Sequence, residues 1–198
     1  MKNKNIVIVL IVLVIVVVGA IYFIRQGKTP NASPVNTSSE QPQNKLETDD
    51  FSINLPDGWV KATSTKGLAA VAVKIGENIN EPAVQKVNFK SYFAIIRDTL
   101  QEGGINEYLE TLRYFLIESI PGTAFTKEQD TVINNRPAHL IEMEFTQDGV
   151  DFKILTALIK GQNNDVWTVS FNTPKIAWDE YKKMFYDTAD SFSLKKQL

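Results

Sequence analysis

The feature that most constrains this chain is an apolar segment close to its N-terminus. The segment begins at Ile6, ends at Ile24 and contains no charged residue. Nineteen residues in helical conformation span about 28 Å, close to the roughly 30 Å hydrocarbon thickness of a bilayer. Because lipid offers no water to bond backbone amides, the segment has to be helical despite its many valines and isoleucines. The sequence therefore predicts a transmembrane anchor over residues 6–24.

A cleaved signal peptide is the alternative interpretation of this segment. Small side chains at Gly19 and Ala20 would suit a cleavage site. However, the apolar run continues to Ile24, whereas the apolar core of a signal peptide usually has about 7 to 15 residues. A retained anchor is therefore favoured over a cleaved one.

Basic residues on either side of the segment predict its orientation. Lys2, Lys4 and the terminal amine precede it, and Arg25 and Lys28 follow it. The slight excess of positive charge on the N-terminal side places that side in the cytoplasm. We therefore expect a cytoplasmic tail over residues 1–5 and a cell-membrane protein whose remaining chain is extracytoplasmic.

The composition after the anchor changes twice. Residues 25–48 are rich in Pro, Ser, Asn, Thr and Gln, which predicts a disordered linker. Residues 49–198 are enough for one domain with a core of its own. The chain has no cysteine, which excludes disulfides, thiolate zinc sites and a cysteine nucleophile. The net charge of the whole chain is −2, and the only charged side chains among its first 25 residues are the positive Lys2, Lys4 and Arg25. The rest of the chain is therefore net acidic, and a nucleic-acid partner is not expected.

The hydrophobic periodicity of residues 49–198 predicts an α+β fold with an antiparallel β-sheet and helices. Alternating patterns predict strands over 51–55, 68–75, 87–96, 124–133, 138–145, 150–159 and 166–172. The last four are joined by short turns and form a predicted meander. One helix is predicted between Ile105 and Ile120, where Pro121 follows. A second is predicted after Thr173 as N-cap, with Pro174 at its first position.

Several of these segments together resemble PsbP-like domains, a family named for an extrinsic photosystem II subunit. They are the opening Phe-Ser-Ile-Asn-Leu-Pro-Asp-Gly-Trp of residues 51–59, the hairpin of residues 133–138, the strand with Trp167 and the closing residues 189–192. The resemblance implies an antiparallel sheet between helices, and it implies no shared catalytic set. Members often carry glycine in the hairpin, where this chain has Asn135, which also tolerates a positive φ.

His139 is the only histidine, so any imidazole base would have to be this residue. By strand alternation it shares a face with Ile141, Met143 and Phe145. A histidine beside the core explains this pattern without catalysis, and this interpretation is favoured over a catalytic one.

Three further residues are candidates for a surface site. Glu142 and Glu144 alternate onto one strand face, where two carboxylates could bind a hard cation. The favoured alternative is a solvated strand face. Trp178 lies beside the apolar stripe of the last predicted helix, either as a partner anchor or, as favoured, at the edge of the core.

These patterns predict a single-pass membrane protein with its globular domain outside the cytoplasm. The resemblance implies that the protein is bacterial and that its domain is a PsbP-like binding or assembly module. The membrane, through residues 6–24, and a protein are its expected partners. No catalytic, cofactor-binding or metal residue is predicted, and no cofactor is expected. A metal-dependent extracytoplasmic hydrolase and a structural envelope component are the alternatives.

Overall fold

The computed structural model describes residues 44–64, 67–100 and 104–195. The predicted tail and anchor and most of the predicted linker lie outside these residues. None of the helices within them is both long and apolar enough to span a bilayer.

The described residues form ten strands and three helices. The strands are β1 (Lys45–Glu47), β2 (Phe51–Asn54), β3 (Trp59–Ala62), β4 (Ala70–Lys74), β5 (Tyr92–Thr99), β6 (Ala124–Ile133), β7 (Arg136–Gln147), β8 (Val150–Lys160), β9 (Asp165–Pro174) and β10 (Ser193–Leu194). The helices are α1 (Pro82–Val87), α2 (Gly104–Ser119) and α3 (Trp178–Asp190), and a 3₁₀ turn (Lys175–Ala177) precedes α3.

Seven strands form one antiparallel sheet in the order β3-β4-β5-β9-β8-β7-β6. The run from β6 to β9 confirms the predicted meander. A small second sheet has the order β1-β2-β10. The α+β prediction with a mainly antiparallel sheet is therefore confirmed.

Helices cover both faces of the large sheet and bury a core on each. On one face, α1 and α2 pack on central strands through Val84, Val87, Leu109, Leu112 and Leu116. On the other face, α3 and the small sheet pack through Ile53, Tyr181, Phe185, Ala189 and Phe192. Central strands are consequently apolar on both faces, as in β5, where residues 92 to 96 are all buried.

The prediction of a strand from residue 87 was wrong at its N-terminal end. Pro82 stands at the start of a short helix, where its fixed φ is favourable and its missing N–H costs nothing. Asn88 ends this helix in the left-handed region with φ 50°. Val87 is thus the last residue of α1, and β5 begins only at Tyr92.

Two other boundaries also differ from the predictions. β1 lies within the predicted linker, because Leu46 has a place in the core and is only 2% exposed. Thr173 is not an N-cap: β9 extends through Pro174, and α3 begins at Trp178 without a side-chain cap.

Candidate functional site

A group of charged side chains lies on the α3 face of the large sheet. Glu144 on β7 and Thr173 on β9 flank Lys153 on β8 in register. The Lys153 Nζ lies 2.9 Å from Glu144 Oε1 and 3.2 Å from Glu142 Oε2. One ammonium group therefore bridges both carboxylates that strand alternation predicted on a common face.

Neighbouring elements supply further donors to the same two carboxylates. Lys175, in the 3₁₀ turn, donates to Glu144 Oε2 at 2.6 Å, and the Tyr186 hydroxyl of α3 donates to Glu142 Oε1 at 2.7 Å. We call Glu142, Glu144, Lys153, Lys175 and Tyr186 the lysine–carboxylate cluster. It connects β7, β8, the turn and α3, so it fixes the helix to the sheet.

Burial distinguishes the two carboxylates of this cluster from an ordinary surface pair. The side chain of Glu142 is 4% exposed and that of Glu144 is 22% exposed. The expectation of a solvated strand face is therefore wrong for Glu142, because α3 covers this part of the sheet. A buried carboxylate requires such partners, since removing its charge from water is costly.

Trp178 belongs to this site through its ring. The residue is 5% exposed and packs against Phe185 in the core, while the Lys153 Nζ lies 4.9 Å from its ring centroid. This position agrees with the favoured edge-of-core interpretation. Trp178 supports the lysine through a cation–π contact and is not exposed to a partner.

The pKa values in the cluster reflect this pairing. Hydrogen bonds from Lys175 and then Lys153 lower the pKa of Glu144. Burial on its own would lower the pKa of Lys153, but the hydrogen bonds and charges of Glu144 and Glu142 outweigh this effect and raise the pKa. Burial, with the neighbouring Glu142, raises the pKa of the Tyr186 hydroxyl. Glu144 is therefore stabilised as a carboxylate and Lys153 as an ammonium group.

This charge arrangement bears on the metal alternative. A hard cation bound between Glu142 and Glu144 would have to take the position of the Lys153 ammonium group. In addition, no three His, Asp or Glu side chains of the described ranges are placed to hold a metal ion together. The carboxylates here bind lysines of the same chain.

His139 lies on the opposite face, with Ile141 and Met143, as alternation predicted. Its Nδ1 lies 2.7 Å from Asp130 Oδ1 and its Nε2 lies 3.2 Å from Glu128 Oε2. Both carboxylates project from the outermost strand, β6. They connect this strand to β7 through side chains, which is a structural role for the histidine.

A third polar group was not predicted from the sequence. Glu77, 7% exposed, accepts hydrogen bonds from the Ser91 amide at 2.6 Å and the Ser91 hydroxyl at 2.7 Å. The Ser91 hydroxyl also lies 2.8 Å from Thr173 Oγ1. Glu77 and Ser91 are 14 positions apart in the chain, and Ser91 and Thr173 are 82 positions apart. No local sequence pattern could therefore have revealed the group.

A shallow depression lies on the other side of α3, with a volume of about 410 Å³. It is lined by residues at the end of β2 and on α3, namely Asn54, Leu55, Pro56, Glu180, Lys183, Met184, Asp187 and Thr188. It contains no part of the lysine–carboxylate cluster.

Comparison with known proteins supports the fold and leaves the activity open. No protein-family model matches the sequence, and no curated protein matches it. The solution structure of a cyanobacterial PsbP from Synechocystis is 14% identical, with a TM-score of 0.56 over 82% of this chain and 100% of that one. LpqN of Mycobacterium tuberculosis, described as involved in cell envelope biogenesis, is 8% identical, with a TM-score of 0.59 over 80% and 88%.

A Pseudomonas aeruginosa protein of unknown function is also similar. It is 16% identical, with a TM-score of 0.54 over 74% of this chain and 92% of that one. At these identities the likeness concerns the fold alone, and the fold is PsbP-like.

Proposed function

We propose that this chain is a single-pass bacterial membrane protein whose PsbP-like domain is extracytoplasmic and acts as a binding or assembly module. The observation that carries the proposal is the internal pairing of the lysine–carboxylate cluster. Lys153, Lys175 and Tyr186 engage both Glu142 and Glu144, so these groups position α3 and are not held ready for a substrate. A scaffold with its charged groups paired in this way suits recognition better than acid–base chemistry.

The location rests on two further considerations. The uncharged segment between Ile6 and Ile24 has the length of a membrane span. LpqN, which shares the fold, is described as a protein of cell envelope biogenesis. Both are compatible with a domain held at the outer surface of the cell membrane, where a tether raises its local concentration near a partner.

Site-specific photo-crosslinking in cells tests the binding role. A photoreactive residue is introduced at Lys183, on the rim of the depression, and separately at Ile176 and Tyr114, which are 64% and 70% exposed. We expect one position to give a defined adduct with one protein, and the other two to give none. The same variants without residues 6–24 should lose the adduct.

Two results would contradict the proposal. The first is the absence of a defined adduct from all three positions in a protein that is expressed and folded. The second is a rise of the unfolding midpoint with Mg²⁺, Ca²⁺ or Zn²⁺, because binding to the native state stabilises it and would favour the metal-dependent alternative. Protease treatment of cells with a permeabilised outer envelope tests the location, since a cytoplasmic domain would remain protected until lysis.

A further inference from the structure

The outermost strand of the large sheet, β6, has one edge that no described strand covers. It is the last strand in the sheet order and pairs with β7 on its other side. It has ten residues, whereas β3 at the opposite end of the sheet has four. An uncovered edge presents a row of backbone N–H and C=O groups with which another extended chain can pair. Because proteins usually keep such edges short, the length of β6 calls for an explanation.

The turn after β6 determines which backbone groups this edge presents. The turn has two residues, both with positive φ, and Ile133 before it is in register with Arg136 after it. In such a hairpin the closing pair exchanges both backbone hydrogen bonds, and bonded and non-bonded pairs alternate from there. The backbone groups of Val132, Asp130 and Glu128 therefore point away from β7.

Two details of the β6–β7 pair agree with this assignment. Pro137, which has no N–H, is opposite Val132, in a pair that forms no hydrogen bond within the hairpin. The register shifts between Phe125 and Lys127, so the strand is regular only after this bulge. The part of the edge that can pair with another strand thus lies between Lys127 and the turn.

The carboxylates of this part of β6 are directed back over the sheet. Asp130 Oδ1 lies 2.7 Å from His139 Nδ1 on the neighbouring strand, and Glu128 Oε2 lies 3.2 Å from His139 Nε2. Glu128 also forms an ion pair with Arg113 of α2. Charged side chains often protect an edge strand from pairing. Here they contact groups of their own domain and leave the backbone at the edge accessible.

The lysine of β6 is directed inward as well, on the opposite face of the sheet. Lys127 Nζ lies 3.2 Å from the Tyr186 hydroxyl and 5.0 Å from the centroid of its ring. By contrast, Val132 is apolar and 64% exposed, and the side chain of Asp130 is 94% exposed. The edge therefore combines free backbone groups with accessible acidic and apolar side chains.

We propose that the edge of β6 from Glu128 to Val132 binds an extended segment of another protein, which adds a strand to the sheet. Side chains that lie directly opposite each other on one face of paired strands interact. The segment therefore carries Lys or Arg opposite Glu128 and Asp130 and an apolar residue opposite Val132. This inference rests on the proposed binding role and identifies the surface that performs it.

A second copy of this chain fits the same edge less well. Two copies of β6 would pair antiparallel about a two-fold axis. If the axis passed through Lys127, Glu128 or Asp130, that residue would face its own copy. An axis through Gln129 would place Glu128 opposite Asp130. Like charges in these positions are destabilising, and an axis through Thr131 would pair only the last residues of the strand.

Two synthetic peptides test the charge pattern. The first, acetyl-Val-Thr-Lys-Thr-Lys-Thr-amide, places valine opposite Val132 and its lysines opposite Asp130 and Glu128 in antiparallel pairing. The second has glutamate in place of both lysines. Their binding to the full chain in detergent is measured at low salt by the fluorescence anisotropy of labelled peptides. We expect the lysine peptide to bind at least about tenfold more tightly, because only its charges are opposite to those of β6.

Substitutions at Val132 test the position of the bound peptide. Val132→Pro removes an N–H that points away from β7 and no hydrogen bond between β6 and β7. It should weaken binding of the lysine peptide about tenfold, whereas Val132→Thr keeps the N–H and the branched shape and should change binding less than about twofold. If Val132→Pro does not fold, Asp130→Asn gives the answer. It keeps an oxygen for His139, removes the charge, and should reduce the preference for lysine over glutamate.

Several results would overturn the proposal. They are equal affinities for the two peptides, no binding of the lysine peptide up to about 1 mM, and equal affinities of Val132→Pro and Val132→Thr. A dimer of the full chain that Val132→Pro dissociates would also overturn it, because the edge would then bind a second copy. In cells, a defined adduct from Lys183 with none from a photoreactive residue at Val132 would retain the binding role and reject β6 as its surface.

Discussion

At the scale of single residues, Lys153 is a charged side chain that lies largely inside the domain. Its side chain is 14% exposed, and its Nζ lies between Glu142 and Glu144. Along β8 it follows the buried Phe152 and occupies a position on the same face as Leu155. A lysine in such a position is stable only because two carboxylates and an aromatic ring surround it.

Replacing Lys153 should therefore destabilise the domain strongly. Lys153→Met removes the bridging ammonium and leaves Glu142, 4% exposed, as a buried charge with fewer partners. We expect a loss of about 3 kcal/mol in the free energy of unfolding, measured by urea denaturation. Lys183→Met is the control, because Lys183 is 87% exposed and pairs with Asp187 at the surface. It should change the stability by about 0.5 kcal/mol or less, and similar losses in both variants would refute the role of Lys153.

The lowered pKa of Glu144 predicts that the free energy of unfolding depends on pH in the acidic range. Hydrogen bonds from Lys175 and Lys153 hold this pKa below its ordinary value of 4.5. The contribution of the carboxylate is complete above that ordinary value and disappears as the pH falls through the lowered one. Glu144→Gln should therefore make the loss of unfolding free energy between about pH 5 and pH 3 less steep.

The control for this titration is Glu118→Gln, at an exposed position of α2. It should leave the pH profile of the unfolding free energy as it is in the unsubstituted domain. If the two variants have the same profile, Glu144 is not the source of the dependence.

At the scale of elements, the turn between β6 and β7 contains two asparagines that have different roles. Asn134 and Asn135 have φ of 46° and 65°, so both adopt a backbone that glycine accepts readily. However, the Asn134 side chain also donates to the Phe192 carbonyl at 2.6 Å, which attaches the turn to the chain after α3. The role of Asn135 is therefore to adopt the positive φ that the turn requires.

Glycine substitutions should reveal this difference. Asn135→Gly is expected to leave the free energy of unfolding within about 0.5 kcal/mol, since its positive φ is retained without strain. Asn134→Gly removes the bond to Phe192 and should cost about 1 kcal/mol. The midpoints of thermal unfolding of both variants decide the matter, and a larger loss for Asn135→Gly would contradict this account.

Elements with a clear period could be predicted from the sequence, and those defined by distant contacts could not. Alternation placed Glu142 with Glu144 and His139 with Ile141 correctly, because register within one strand is a local property. Their partners were not predictable: Lys175 meets Glu144 across 31 positions, and this depends on where α3 begins. The start of α3 was itself mispredicted, because β9 continues past Thr173 to pair with β8.

The short elements were missed for a related reason. β1 has only three residues. It is stabilised by pairing with β2 and not by a sequence pattern of its own. α1 has six residues, too few for a helical period to be visible against the apolar residues of the following strand. In both cases the core of the whole domain selects the local structure.

For the whole molecule, the position of β1 moves the start of the domain into the predicted linker. Leu46 is 2% exposed and packs in the α3-side core with Phe51 and Phe192. β1 also covers β2, which otherwise would pair only with the two residues of β10. A domain that starts at residue 49 therefore lacks part of its core and one strand of its small sheet.

We expect both residues 44–198 and residues 49–198 to be soluble and to unfold cooperatively, because most of the core is common to the two. The shorter form should be less stable by about 2 kcal/mol, the usual contribution of one fully buried leucine side chain. Urea unfolding measures this difference, and Leu46→Ala in the longer form should reproduce most of it. Lys45→Ala, which alters an exposed residue of the same strand, is the control and should have little effect. Equal stability of the two forms would mean that β1 is not part of the folded domain and that the domain begins at residue 49, as the sequence predicts.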